Sequence, residues 1–176
     1  NFILHGSILA MAGIFVRIIG MVYRIPVLNI IGSEGNGIYG VAFNIYNIVL
    51  ILSSYGIPMA VSKLISARIA NKEYKNSAKI FKSALIFSII SGGIAMLVLL
   101  FGAGAIQRFL YPTVSGLEIP LRVLAPTVFI VAVLGVFRGL FQGQGNMIPT
   151  AISQLIEQIV NAVVSIVASY ALMRAF

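Results

Sequence analysis

Two arginines stand inside an apolar run long enough to cross a membrane. The run reads FILHGSILAMAGIFVRIIGMVYRIPVLNII, residues 2–31, with Arg17 near its middle and Arg24 further along. A guanidinium at mid-bilayer depth costs about 3 kcal/mol on insertion scales. It therefore needs a polar, protein-lined surrounding, or it must snorkel to the headgroups. Arg17 and Arg24 are seven residues apart, two helical turns, and share one face. Gly6, Gly13 and Gly20 repeat at the same interval, and Gly13 and Gly20 each precede an arginine by four. Glycines on that flank admit a neighbouring helix at close range. Cations held there suit an anion, because guanidinium forks make charge-assisted, bidentate hydrogen bonds to phosphate.

Two further polar groups lie within apolar segments. Asn44 and Asn47 share a face at i, i+3 beside Tyr46, and read either as interhelical hydrogen-bonding groups or as cavity lining. Gln154, Glu157, Gln158 and Asn161 fall at i, i+3, i+4, i+7, one polar stripe on an otherwise apolar helix. Glu157 is a cavity residue, a partner for Arg138 or Arg17, or a proton- or ion-linked group. No nucleophile–base pair or metal cluster is legible, and the acids are too few for general acid–base work. The expectation is a protein that is not an enzyme and carries no cofactor.

The composition says what must position these groups. Of 176 residues, 60% are hydrophobic and 9% charged, with a mean hydropathy of +1.05. Soluble domains carry about 25% charged residues, so this is an integral membrane protein. The net charge of +8 does not indicate nucleic acid, because the cations cluster where a membrane topology wants them. With no cysteine, disulfides and thiolate metal sites are excluded. The one histidine, His5, reads as interfacial. The first run is too long for a cleavable signal peptide, and carries arginines.

Five spans are expected over about 3–31, 38–70, 78–107, 119–142 and 148–173. GSEGNG at 32–37 is a tight polar turn. Gly56-Ile57-Pro58 should kink the second span, and MAVSKLISARIA after it is amphipathic and basic, suited to the interface. The glycines at 92–93 and 102–104 permit close packing of the third. A short outer loop, YPTVSGLEIP, follows. Pro126 lies within the fourth span, and Gly143, Gly145 and Pro149 form the turn after it. Between the second and third spans, Lys63, Arg68, Lys72, Lys75, Lys79 and Lys82 face one acid, Glu73. Positive loops stay in the cytoplasm, so this loop and the amino terminus are expected inside, with Glu34 and Glu118 outside. The chain starts at Asn1 and stops at Phe176 in an apolar run, and is expected to be part of a longer protein.

Two stretches carry a family likeness. FRGLFQGQGNMIPTAISQLIEQIVN at 137–161 resembles the junction of the fourth and fifth helices in SpoVB-like polysaccharide biosynthesis proteins. RIIGMVYRIPVLNIIGSEGNGIYGVAFNIYNIVLILSSYGIPMAVSKLIS at 17–66 is similar to the first two helices of that branch. The branch belongs to the multidrug/oligosaccharidyl-lipid/polysaccharide (MOP) exporter superfamily, with the lipid II flippases and the MATE-like exporters. The resemblance implies an all-α, polytopic transmembrane bundle of roughly fourteen helices in two lobes, working by alternating access. This chain would supply the first five helices of the amino-terminal lobe. The substrate implied is a lipid-pyrophosphate-linked sugar, a cell-wall or peptidoglycan precursor, flipped across a bacterial plasma membrane. Arg17 and Arg24 would correspond to the family's cavity arginines, with Asn44, Asn47, Gln154 and Glu157 lining or bracing the cavity. The chain departs from the lipid II flippase pattern at three places. Arg24 is shifted by one residue, Gly37 replaces an acid, and Leu50-Ile51 replaces an arginine pair. The alternatives are a Na⁺- or H⁺-coupled exporter of small cations and a non-transporting membrane scaffold for cell-wall assembly.

Overall fold

The computed structural model describes residues 2–54 and 56–175, with no side-chain description at 2–5, 54, 168–169 and 171–175. His5 therefore lies outside the described side chains. The described residues form helices and turns only: α1 (Phe2–Ser54), α2 (Ile57–Ala70), α3 (Tyr74–Leu110), α4 (Glu118–Gly143) and α5 (Ile148–Ala175). They divide into two compact units, one holding the start of α1 up to Asn36 together with α5, the other running Gly37–Gln144.

The turn expected at 32–37 is reduced to a single residue. Within α1 only Gly32 leaves helical geometry, at φ 77 and ψ 178, a region open essentially to glycine. The helix resumes at once because Ser33 and Glu34 make a favourable first turn, with a carboxylate near the positive end of the helix dipole. The expected kink at Gly56-Ile57-Pro58 falls where two helices are separated. α1 ends at Ser54 and α2 begins at Ile57 with Pro58 in its first turn, where the missing N–H of proline costs nothing.

Among the described residues, four stretches are long and apolar enough to cross a membrane: Gly6–Ala70, Tyr74–Leu110, Glu118–Gly143 and Ile148–Val167. The first, 65 residues, would be on the order of 100 Å if straight, against roughly 30 Å of hydrocarbon. It is too long for one crossing, and its breaks at Gly32 and Gly56 divide it.

In the Gly37–Gln144 unit, α4 packs against both α2 and α3. Small residues make this possible. A methyl group added at Gly92 of α3 would lie 2.8 Å from the Ala132 Cβ of α4. One added at Gly139 of α4 would lie 2.7 Å from the Pro58 carbonyl oxygen and 2.9 Å from the Val61 Cβ of α2. At Gly143 it would meet Ile65 Cβ at 2.9 Å. Gly143, expected in the turn, is thus the last packed residue of α4. The second part of α1 joins the core through Ala42, Tyr46 and Leu50, at i, i+4, i+8, with Leu99 of α3 and Leu121 and Val128 of α4.

The antiparallel packing sorts charge along this unit. Gly143 against Ile65, and Phe81 edge-on to Phe137 at 5.4 Å, bring the carboxyl end of α4 beside the α2–α3 turn. Lys63, Arg68, Lys72, Lys75, Lys79, Lys82 and Arg138 therefore gather at one end. At the other, Gln107 Oε1 accepts from the Glu118 backbone N–H at 2.8 Å, and Glu118 pairs with Arg122. The α2–α3 turn is closed by Glu73, which accepts from Arg68 Nη1 at 2.9 Å and Asn76 Nδ2 at 2.8 Å. The hydrogen bond from Asn76, then that from Arg68, holds this exposed carboxyl below the usual carboxylate range.

Candidate functional site

The candidate residues fall in both units. In the first, Arg17 and Arg24 are exposed on α1, and neither makes an ion pair with a described residue. Glu157 has an interaction of its own, and it makes no ion pair with Arg17, one of the two partners, Arg138 and Arg17, considered from sequence.

The face of α1 beside the arginines meets α5. A methyl group at Gly20 would stand 3.1 Å from Gln158 Nε2, so the glycine makes room for an amide. One turn on, Asn161 Nδ2 donates to the Tyr23 hydroxyl at 3.5 Å, while Asn161 Oδ1 accepts from Ser165 Oγ at 3.1 Å. Gly20 lies between Arg17 and Arg24 in the helical sequence, so the amide at Gln158 approaches the edge of the arginine face. Gln154 is half-buried and Glu157 exposed on the same stripe. Gln158 and Asn161 are thus two polar residues that meet α1, with Tyr23 as the acceptor on α1. The four-residue stripe contained Gln158 and Asn161. Nothing in its spacing distinguished them from Gln154 and Glu157, because the rotation of α5 about its axis is set by packing.

In the second unit, Asn44 is exposed and Asn47 half-buried. The interhelical hydrogen bond considered for them is not formed with any described residue. Their angular position explains this. The core stripe of Ala42, Tyr46 and Leu50 leaves Asn44 on the opposite side of the helix and Asn47 on the flank. Tyr46 is instead part of a ring column, with Tyr39–Phe43 centroids at 5.8 Å and Phe43–Tyr46 at 5.7 Å. No group of three or more metal-ligating side chains occurs among the described residues.

This arrangement, exposed guanidiniums on an apolar helix flanked by amides, can hold an anion. The profile of the polysaccharide biosynthesis protein family matches residues 5–174. The chain belongs to that family. The family assignment confirms the likeness read at 17–66 and 137–161. Its relatives include three proteins of Bacillus subtilis (strain 168). The lipid II flippase MurJ is 29% identical over 182 residues, covering 99% of this chain and 34% of MurJ. Stage V sporulation protein B is 34% identical over 157 residues, covering 87% of this chain and 29% of that protein. The uncharacterized membrane protein YabM is 32% identical over 167 residues, covering 95% and 30%. The chain spans about a third of the length of these relatives. No solved structure matches it. With its long apolar helices and this family membership, it is a multi-pass membrane protein.

Proposed function

We propose that this polysaccharide biosynthesis family chain is part of a flippase for lipid-linked saccharide precursors of the bacterial cell wall. The observation that carries the reading is the pair Arg17 and Arg24: two exposed guanidinium groups on one face of an apolar helix, without an ion-pair partner among the described residues. Each costs about 3 kcal/mol to hold at depth, and an anionic cargo offsets that cost when it binds. A lipid pyrophosphate supplies that anion, and its sugars supply hydroxyls for the amides of Gln154 and Gln158. The relative named lipid II flippase MurJ supports a lipid-linked cargo.

In this reading the protein lies in the plasma membrane with its amino terminus in the cytoplasm. The cation-rich end of the Gly37–Gln144 unit supports that orientation. Further helices of a longer protein complete the cavity, and the two lobes rock in alternating access. Asn44, Asn47 and Glu157 line or brace the path, and a Na⁺ or H⁺ gradient drives the cycle.

The test is transport by the full-length protein in liposomes, read as protection of a fluorescent lipid pyrophosphate from a membrane-impermeant quencher. Wild-type protein moves the probe between leaflets, and Arg17→Ala with Arg24→Ala abolishes the movement at equal protein incorporation. Undiminished movement in the double variant rules the reading out.

A further inference from the structure

The Gly37–Gln144 unit carries a groove of about 680 Å³ that the proposed transport does not use. Ala60 and Leu64 of α2 form one wall, and Ala84 and Phe87 of α3 the other. The groove exists because α1 breaks at Gly56 and small residues stand where larger ones would fill it. Its lining is mainly apolar and its walls face outward, Phe87 at 61% and Leu64 at 51% exposure. Lys79 stands at one end, and Ser91, which donates to the Ser53 carbonyl at 3.4 Å, at the other.

We infer that this groove holds one acyl chain of an anionic phospholipid of the surrounding bilayer, with the lipid phosphate on Lys79. Length and charge argue for that occupant. From Lys79 to Ser91 is twelve residues of continuous helix, about 18 Å, close to the roughly 15 Å hydrocarbon depth of one leaflet. The slot thus runs from the headgroup level to the bilayer middle. Its cationic end is also the end where Lys75 and Lys82 share a helix face with Lys79. Lys79 is exposed and makes no ion pair among the described residues. The ammonium takes the phosphate, and the apolar walls take the chain.

The experiment uses full-length protein in mild detergent and two labelled probes, phosphatidylglycerol and phosphatidylcholine of the same acyl composition. Wild-type protein binds phosphatidylglycerol more tightly. Lys79→Gln lowers that affinity about fivefold, the contribution of one lysine near an anionic surface, and leaves phosphatidylcholine unchanged. Lys63→Gln removes a charge at the same end but outside the groove, and has no such effect. Ala84→Trp fills the slot and weakens both probes. Equal affinities in wild type, or equal losses from Lys63→Gln and Lys79→Gln, overturn the inference. A photoreactive benzoylphenylalanine in place of Phe87, in phosphatidylglycerol-containing vesicles, supplies a readout that needs no affinity change. A lipid adduct agrees with the inference, and a peptide adduct shows that protein fills the groove and overturns it.

Discussion

Replacing Gly139 with alanine tests whether the α2–α4 contact is as tight as the structure makes it. The added methyl would meet the Pro58 carbonyl oxygen at 2.7 Å, Val61 Cβ at 2.9 Å and Pro58 Cα at 3.1 Å. Carbon atoms pack best at about 3.5–4.0 Å, so α2 must recede by more than roughly half an ångström. Two of the three clashing atoms are backbone, and side-chain rotation cannot relieve them. Retreat of that size forfeits about a quarter to a half of each contact it stretches. It opens the flanking contacts too, because Gly135 rests on Pro58 and Gly143 on Ile65. Overpacking of this kind costs about 1–3 kcal/mol. The matched control is Gly93→Ala on α3, where nothing lies within 4 Å of the added methyl. There the better helix propensity of alanine adds about 0.5–1 kcal/mol. The two variants should therefore move in opposite directions in reversible unfolding of the full-length protein by sodium dodecyl sulfate in mixed micelles. A Gly139→Ala stability equal to wild type, or a Gly93→Ala loss as large as that of Gly139→Ala, would refute the packing argument.

Three other substitutions address separate features. Gly32→Ala places a side chain at φ 77 and ψ 178 and should cost about 1–3 kcal/mol through backbone strain alone, measured by the same unfolding; a neutral effect would mean the break lies elsewhere. The Ser88 hydroxyl is buried with no hydrogen-bond partner among the described residues, so Ser88→Ala should stabilise the protein by about 1 kcal/mol, and a loss would reveal an unseen partner. Glu73 has its folded-state pKa lowered, so its contribution is present above the ordinary carboxylate range and is lost as pH falls through the lowered value. The difference in melting temperature between wild type and Glu73→Gln should accordingly be small at neutral pH and vanish in acid, and a difference that grows in acid would contradict the assignment.

Much of the helical architecture is legible in the residues themselves, because apolar length and the placement of lysines are local properties. The Gly56-Ile57-Pro58 interruption is visible for the same reason. The turn at 32–37 is misjudged because glycine and serine signal a turn equally well when a helix is about to restart, and Ser33 and Glu34 are what restart it. Gly143 reads as a turn residue beside Gly145, yet only Gly145 has the positive φ of a turn, at 78. Gly143 is held in α4 by Ile65, a residue far away in sequence. The same limit applies at the site. Arg17 and Arg24 announce themselves through charge in an apolar run, whereas the roles of Gln158 and Tyr23 depend on how two helices are rotated. Asn44 and Asn47 illustrate the converse, since polar groups in an apolar helix attract attention while the core stripe beside them decides where they face.

The central claim is that Arg17 and Arg24 meet a phosphate-bearing lipid. The direct measurement is equilibrium binding of a polyprenyl pyrophosphate to the full-length protein, compared with Arg17→Ala, Arg24→Ala and the charge-preserving Arg17→Lys. A hydrogen bond to a charged group contributes about 1.5–3 kcal/mol, so each alanine variant should weaken binding by roughly ten- to a hundredfold, with Arg17→Lys in between because it keeps the charge and loses the fork. Binding of equal strength in wild type and both alanine variants would contradict the account.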